Sequence, residues 1–335
     1  MQVLTLERQQ YFLSTVSRTF ALTIPLLPKE LEDWVGNSYL LCRITDTIED
    51  AVYLDNELKK FHMNKFASLL SSPIGLEQWT KEICELVRSS SNEHENELMA
   101  AIPEVVGRYY SYSSEVQYIL RHTVTIMAKG MSQIERWAKI DSVDEVDHYC
   151  YSVAGVVGEL LISLFAEHCP AMKKNLDSQL PYAVSFGEAL QLTNILKDVW
   201  DDLKRGVTWL PIKNDDPDRD AKVQEYISLA YGHCLQSMEF IKRMPVLQLG
   251  IRRFCLLTNA MAILTLRNIQ ANPGFKDSKE IKITRKEVKK LYFFYKCFGW
   301  CNYAIDFMTK RCSGTKLSPT IRNCEEISKK VSFWK

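Results

Sequence analysis

Two acidic segments, Asp46-Thr47-Ile48-Glu49-Asp50 and Asp198-Val199-Trp200-Asp201-Asp202, each place two aspartates four positions apart. On an α-helix this spacing puts both carboxylates on the same face, one turn apart. Two like charges held together repel each other, so the pairs do not stabilise a fold by themselves. A divalent cation would relieve the repulsion, and Mg²⁺ takes one or two carboxylates together with substrate phosphates and water. Two such pairs facing one another would hold a diphosphate-bearing substrate through bridging metal ions.

Each acidic segment extends a polar stripe along an otherwise apolar helix. The first stripe steps by four, three and four positions through Tyr39, Arg43, Asp46 and Asp50. The second steps by three, four and four positions through Gln191, Asn194, Asp198 and Asp202. Such stripes on apolar helices predict a buried polar cavity. The alternative is that the acids lie on a solvated helix face. A single acidic pair is common on such a face, but two pairs that each extend into a polar stripe are less common there.

Helical periodicity dominates the 335 residues, and strand-like alternation is nearly absent. The hydrophobic content of 46% suits a large core, and 13 glycines leave long helices uninterrupted. Polar breaks such as 89–97 and 271–278 are too short for domain linkers, and no internal repeat is apparent. The pattern therefore predicts a single all-α domain over residues 1–335, a helical bundle around a central active-site cavity.

Charge and cysteine usage narrow the class of protein. The net charge is +1, from 42 basic and 41 acidic residues, so no nucleic-acid partner is expected. The 10 cysteines form no C-x-x-C pair and are expected to be reduced core residues. Residues 1–8 do not resemble a signal peptide, and no stretch of about 20 uncharged apolar residues occurs. We expect a cytoplasmic protein, soluble or peripherally membrane-associated, without a signal peptide or transmembrane anchor.

These motifs resemble those of the squalene/phytoene synthases, which condense two prenyl diphosphates head to head. Asp46–Asp50 with Arg43 is similar to the family's first aspartate-rich motif, and Gln191–Asp202 is similar to the second. Three further segments match in the family's order: Ser17-Arg18-Thr19-Phe20, Tyr149–Gly158 and Arg253–Leu266. The similarity covers about residues 10–295, and its last segment is closest to the squalene synthases.

The resemblance implies an isoprenoid-synthase-type fold and a prenyltransferase of the farnesyl-diphosphate farnesyltransferase type. The implied reaction joins two farnesyl diphosphates through presqualene diphosphate to squalene, with NADPH as the reductant. A dehydrosqualene, phytoene or presqualene diphosphate synthase that lacks the reduction is the main alternative. A non-catalytic scaffold relative is a more distant alternative, because such relatives usually lose motif aspartates and all four are present here.

The resemblance also implies roles for the charged residues. The carboxylates expected to bind the metal, Mg²⁺ or alternatively Mn²⁺, and to act in catalysis are Asp46, Asp50, Asp198 and Asp202. Arg18 and Arg43 are expected to donate to phosphate oxygens, which suit guanidinium groups. The alternative for Arg43 is a plain ion pair with Glu49 or Asp46. Ser17 is expected to reach phosphate, and its alternative role is a helix cap.

A carbocation needs an apolar site that is rich in π-electrons. The resemblance implies that Tyr149 acts in catalysis and that Phe20, Tyr39 and Phe254 contact the substrate, although aromatic residues on helices more often pack in a core. The polar residues expected at the substrate are Gln191, Asn194, Lys197 and Arg205. Lys197 stands where many relatives have arginine. The small residues of 154–158 either let helices pack closely or leave room for isoprenoid chains.

The basic segment 282–286 resembles a stretch of squalene synthases proposed to cover the cofactor. It implies contacts of Lys282, Arg285 and Lys286 with NADPH, and the alternative is a solvated basic start of a helix. The expected partners are prenyl diphosphate substrates, with peripheral membrane contact for product release. The chain is expected to be a monomer or a weak dimer.

Overall fold

Helices form most of the chain. A computed structural model describes residues 2–204, 206, 208–212 and 217–331, leaving aside the side chains of residues 18, 330 and 331. Within these ranges the secondary structure is helical and contains no β-strand, so the predicted all-α fold class is confirmed.

The described residues fall into two compact units. Unit 1 comprises Met1–Ile134 and Ser163–Pro170, and unit 2 comprises Glu135–Ile162 and Ala171–Lys335. The single-domain organisation over residues 1–335 stays a prediction.

Unit 1 is built around one long helix, α3. Its α-helices are α1 (Leu6–Val16), α2 (Arg18–Thr23), α3 (Lys29–Glu49), α4 (Asn56–Leu69), α5 (Leu76–Val87), α6 (Glu93–Ala100), α7 (Ile102–Tyr110) and α8 (Ser114–Met131). Side-chain caps start several of these helices; the Asp55 carboxylate, for example, accepts from the Leu58 amide of α4 at 2.8 Å.

Polar contacts fix α3 against α7. Arg108 Nε donates to Asp33 Oδ1 at 2.9 Å, and the Tyr112 hydroxyl donates to the same oxygen at 2.8 Å. Asn37 Nδ2 donates to the Val105 carbonyl at 3.0 Å inside the core. A charge-assisted bond and a buried amide bond are each sensitive to small displacements, so they set the position of α3 along its own axis.

Unit 2 contains the remaining helices. They are α9 (Ile134–Trp137), α10 (Val143–Cys150), α11 (Val156–His168), α12 (Pro170–Lys173), α13 (Leu176–Lys204), α14 (Arg219–Arg243), α15 (Leu249–Ala271), α16 (Arg285–Phe298), α17 (Asn302–Ser313) and α18 (Cys324–Val331). The first residue of α9, the end of α11 and the first residue of α12 belong to unit 1. The long helix α13 packs against α14, α15 and the segment that joins α10 to α11.

The segment that joins α10 to α11 is a π-helical turn, Tyr151–Gly155. Two glycines allow its close approach to α13. A Cβ added at Gly187 would lie 1.9 Å from the Ala154 carbonyl oxygen, and one added at Gly158 would lie 1.9 Å from the Ala183 oxygen. Because residue 154 meets 187 and residue 158 meets 183, the two segments run antiparallel. The small residues of this segment therefore serve close helix packing, one of the two roles expected for them.

A buried polar pair joins α13 to α14. Glu188 Oε2 lies 3.3 Å from His233 Nδ1, and the two side chains are 0% and 2% exposed. Burial, together with a smaller effect of the positive charge of Arg322, lowers the pKa of His233 to about 3. Burial also raises the pKa of Glu188 well above its ordinary value, with Asp147 as a negative neighbour. Burial therefore favours the uncharged form of both side chains.

By length and composition alone, two helical stretches could cross a membrane. They are Val143–His168 and Leu249–Ala271, and 83% and 78% of their apolar windows are buried within the protein. Core helices of globular proteins pass the same test, so the observation is weak support for a membrane span.

We predict that Gly187→Ala destabilises the protein by about 1–3 kcal/mol, because the new methyl group would meet the backbone of Ala154 and force the helices apart. Denaturant unfolding followed by circular dichroism measures the change. The control is Gly274→Ala, whose added Cβ has no neighbour within 4 Å. Equal stability of the two variants would contradict the packing described for α13.

We predict that His233→Gln makes folding less sensitive to acid. The native pKa of about 3 lies below the ordinary value of 6.5, so between these pH values the unfolded chain binds a proton that the folded protein does not. Wild-type stability should therefore fall by up to about 1.4 kcal/mol per pH unit more steeply than that of the variant as pH falls from 6 to 4. Urea unfolding across this range measures the slopes, with the exposed His94→Gln as a control that keeps the wild-type slope.

Candidate functional site

The first polar stripe lies at the C-terminal end of α3 in unit 1. Asp46 lies in the last turn of α3, and Asp50 caps the helix: its backbone amide donates to the Asp46 carbonyl at 2.8 Å. Asp46 is half-buried and Asp50 is exposed. Arg43, one turn before Asp46, donates through Nη2 to Glu95 Oε1 of α6. Glu95 is therefore an ion-pair partner of Arg43 that the sequence did not indicate, and the negative charge of Asp46 also acts on the guanidinium and, against the effect of burial, raises its pKa.

Glu95 is a residue that the sequence did not single out. Its second oxygen, Oε2, accepts from the Asn92 amide at 3.0 Å, and its own amide donates to Asn92 Oδ1 at 3.0 Å. This is a capping box at the start of α6. One carboxylate therefore caps a helix with one oxygen and holds the Arg43 guanidinium with the other. The capping box is readable in the sequence, but its partner on α3 is not.

Electrostatics at the end of α3 show an excess of negative charge. Burial is the main cause that raises the pKa of Asp46 to about 7; the charge of Arg43 opposes it, and the charges of Asp50 and Glu95 add to it. Burial raises the pKa of Glu49 to about 8, again with Asp50 as a negative neighbour. The one nearby guanidinium does not neutralise these acids. Additional positive charge would stabilise their ionised forms, which is the behaviour of a cation site.

Three residues of the N-terminal motif lie beside α3. The Ser17 hydroxyl accepts from the Phe20 amide at 3.1 Å and caps α2, the alternative role that the sequence left open. The Phe20 and Tyr39 rings lie 5.2 Å apart, tilted by 47°. Arg18 begins α2, but its side chain lies outside the described residues. Substrate contacts of Ser17, Arg18, Phe20 and Tyr39 stay predictions.

The second polar stripe lies near the C-terminal end of α13 in unit 2. Asp198 is partly exposed and Asp202 is buried at 7% exposure. Lys197 Nζ lies 3.2 Å from Asp198 Oδ2 and 3.4 Å from Asn194 Oδ1. Lys197 therefore neutralises part of this stripe in the same way as Arg43 does on α3. Gln191 is half-buried on the same helix, and Arg205 lies outside the described residues.

An aromatic cluster surrounds Tyr149, the residue before the last of α10. The Tyr149 ring stacks on Trp209 with 4.3 Å between centroids and 9° between planes. Trp137 also contacts the Tyr149 ring, edge to face at 5.6 Å and 69°. Helix α10 contacts α13, the helix that carries the second stripe. Neither tryptophan was singled out from the sequence, because stacking partners far apart in the chain leave no periodic signal.

Phe254 is buried, whereas the basic residues near α16 are exposed. Phe254 is 0% exposed in the core of unit 2, on α15. Lys282, Arg285 and Lys286 are exposed and flank the start of α16, where Thr284 forms a capping box with Glu287. A helix N-terminus with exposed cations suits a phosphate. The roles expected for these four residues stay predictions.

Among the described residues, no group of three or more His, Cys, Asp or Glu side chains is arranged to hold a metal by itself. The two stripes instead provide carboxylate pairs, each with one cation beside it. Mg²⁺ fits such donors, because it binds through one or two carboxylates and completes its octahedron with water and ligand phosphate. The chemistry available at these residues is thus charge neutralisation of a bound anion together with a π-rich surface for a cation.

Comparison with known proteins identifies a family that the chain matches. The sequence model of the family described as Squalene/phytoene synthase matches residues 13–287. Botryococcus squalene synthase from Botryococcus braunii is 28% identical over 304 residues, covering 84% of this chain and 61% of that protein. A probable squalene synthase from Neurospora crassa is 27% identical over 297 residues, covering 83% and 60%. The chain thus spans about three fifths of the length of these relatives.

Solved structures share the fold. A complex of TcSQS with the ligand E5700 aligns with a TM-score of 0.72 at 22% identity, covering 92% of this chain and 97% of that one. A dehydrosqualene synthase in complex with a ligand aligns with a TM-score of 0.59 at 16% identity, covering 88% and 95%. At these identities the likeness establishes the isoprenoid-synthase-type helical fold.

Proposed function

The chain belongs to the squalene/phytoene synthase family, and on this premise we propose that it condenses two farnesyl diphosphates head to head. The proposed product is squalene, formed through presqualene diphosphate with Mg²⁺ and NADPH. The observation that carries the proposal is the pair of aspartates at i, i+4 on each of α3 and α13, each beside one cation. The squalene synthases among the relatives favour this product over a non-reduced one.

The proposed metal-binding residues are Asp46 and Asp50 on α3 and Asp198 and Asp202 on α13. Mg²⁺, when bound, neutralises the charge of the departing diphosphate. Arg43 adds a guanidinium beside the pair on α3 and Lys197 adds an ammonium beside the pair on α13, and both groups attract phosphate oxygens. Glu95 limits the mobility of Arg43 and thereby keeps its guanidinium oriented before substrate arrives.

The proposed surface for the allylic cation is the aromatic cluster of Trp137, Tyr149 and Trp209. Stacking fixes the plane of Tyr149 against Trp209, and the edge of Trp137 limits its rotation. Aromatic faces attract a carbocation through the ring quadrupole and do not react with it as water would. The stack therefore serves both to stabilise charge and to keep the cation from being quenched.

For the reductive step we propose that NADPH contacts Lys282, Arg285 and Lys286. NADPH, when bound, would supply the hydride for the reduction of presqualene diphosphate to squalene. The three cations are exposed at the start of α16, where the helix dipole adds to their attraction for phosphate.

We predict that the protein makes squalene from farnesyl diphosphate when Mg²⁺ and NADPH are present, and that Asp50→Asn and Asp198→Asn each reduce turnover at least ~100-fold. Chromatography of the products with and without NADPH, using C15 and C20 substrates in parallel, measures both. Asp177→Asn, which removes an exposed charge from the first turn of α13, is the matched control with wild-type turnover.

The products separate the alternatives. If the end product in the presence of NADPH is dehydrosqualene, phytoene or presqualene diphosphate, the activity is a condensation without reduction and not squalene synthesis. A scaffold would be identified by two results together. The folded protein would make no condensation product, and the Asp50→Asn and Asp198→Asn variants would still bind the partner.

We predict that Glu95→Gln lowers kcat/KM about 10-fold by releasing Arg43 from its fixed orientation. In an Arg43→Gln background the same change should have little further effect, because the two residues act as one unit. Glu93→Gln on the exposed side of α6 is the control. Additive losses in the double variant would show that Glu95 acts independently of Arg43.

A further inference from the structure

Helix α16 carries an exposed stripe of lysines interrupted by an aromatic ring. Lys286, Lys289, Lys290, Phe293 and Lys296 follow at helical steps and are all exposed. The Phe293 ring is 69% exposed although it is fully apolar. A large apolar side chain held in water among cations is unfavourable in a free surface, so its setting indicates a partner that accepts both.

Helix α17 and the turn before it continue the pattern. Trp300, Tyr303 and Phe307 are 54%, 89% and 62% exposed. Tyr303 and Phe307 are four positions apart, so they lie on one face of α17, and Lys310 and Arg311 follow on the next turn of that face. We name the exposed aromatic and basic residues of α16 and α17, including Trp300, the aromatic–basic face.

The charge of this face is strongly one-sided. Residues 285–313 contain seven Lys and Arg against two acids. Both acids are already engaged, Glu287 with Arg267 at 2.7 Å and Asp306 with Lys242 at 3.0 Å. The stripe lysines of α16 form no ion pair with any side chain in the part of the chain that the structure describes. The whole protein is nearly neutral at +1, so this positive charge is local.

The face has an apolar recess and a rigid base. An open groove of about 810 Å³ is lined by lysine stems of α16 together with Phe293, Phe294, Phe298 and Met308, so both helices border it. Arg253 Nη2 donates to the Lys296 carbonyl at 2.6 Å, and Arg252 Nε donates to the Gly299 carbonyl at 2.9 Å. These bonds hold the end of α16 to α15, so the exposed rings do not have to be ordered when a partner binds.

We propose that the aromatic–basic face docks on the surface of a bilayer that contains anionic phospholipids. Lysine ammonium groups pair with lipid phosphates and carboxylates, while their methylene stems and the aromatic rings enter the boundary of headgroups and acyl chains. Trp and Tyr prefer this interfacial depth because their rings are apolar and their polar atoms still reach water. The proposal does not depend on the proposed catalytic function.

Two other partners suit the face less well. A second copy of this chain, docking through the same face about a two-fold axis, would bring the lysine stripes against each other. A nucleic acid would find phosphate partners, but the groove walls are phenyl rings, a thioether and aliphatic stems that offer no hydrogen bonds to base edges. Acyl chains require no hydrogen bonds.

Vesicle co-sedimentation of the full chain tests the proposal. Wild-type protein should bind vesicles of phosphatidylcholine with about one-third phosphatidylserine at least ~10-fold more tightly than vesicles of phosphatidylcholine alone, and should lose most of this preference in high salt. Lys289→Gln/Lys290→Gln/Lys296→Gln should weaken anionic binding at least ~10-fold. Phe293→Ala/Tyr303→Ala/Phe307→Ala should weaken binding to a similar extent while keeping the dependence on salt.

Matched triple variants control for charge and apolar area. Lys81→Gln/Lys139→Gln/Lys174→Gln removes three exposed lysines elsewhere, and Tyr53→Ala/Phe61→Ala/Tyr118→Ala removes three exposed rings from unit 1. Both should bind as the wild type does. Circular dichroism and thermal unfolding check that every variant is folded.

Tryptophan fluorescence tests the contact with lipid through one conservative substitution. Brominated lipids should quench part of the emission, and Trp300→Phe should remove that quenching although the other six of the seven tryptophans remain. Equal binding of face and control variants, or unchanged quenching in Trp300→Phe, would overturn the proposal. So would tighter binding to a single-stranded oligonucleotide than to anionic vesicles, or a lipid-free dimer that the aromatic variant abolishes.

Discussion

Repulsion between carboxylates one helical turn apart is the constraint on which the rest of this structure depends. On α3 the result is visible as a pKa of about 7 at Asp46, because burial and negative neighbours outweigh the one guanidinium nearby. Amide or apolar side chains at these positions would give a more stable helix. Retaining acids where they weaken the fold is the pattern expected of residues kept for binding a cation.

The scaffold offsets this local instability with rigid, fully paired contacts away from the acids. Asp33 fixes α3 to α7 through a guanidinium and a hydroxyl, and Gly187 lets the backbone of α13 touch the turn that follows Tyr149. The π-helical form of that turn is an uncommon geometry that tends to occur at functional positions. Strong packing beneath the candidate site thus allows unfavourable charge within it.

Periodicity in the sequence was sufficient to predict the all-α fold and both polar stripes, because helix faces repeat locally. The partner of Arg43 was not predictable, since Glu95 lies 52 positions away and the contact depends on how α6 packs on α3. The contacts of Trp137 and Trp209 with Tyr149 were not predictable for the same reason, because ring stacking depends on tertiary distance. Ser17 had two possible roles by sequence, and the structure shows the capping bond while its phosphate contact stays a prediction.

A prenyl diphosphate is amphiphilic, so an enzyme for it meets two opposite solvation problems. The headgroup is highly charged and favours acids that bind a cation, together with fixed guanidinium and ammonium groups. The tail and a squalene product are apolar and poorly soluble, so exchange with water is slow and transfer to a bilayer is favoured. In the docking that we propose, the lysines and exposed rings of α16 and α17 address the second problem through electrostatic attraction and apolar burial.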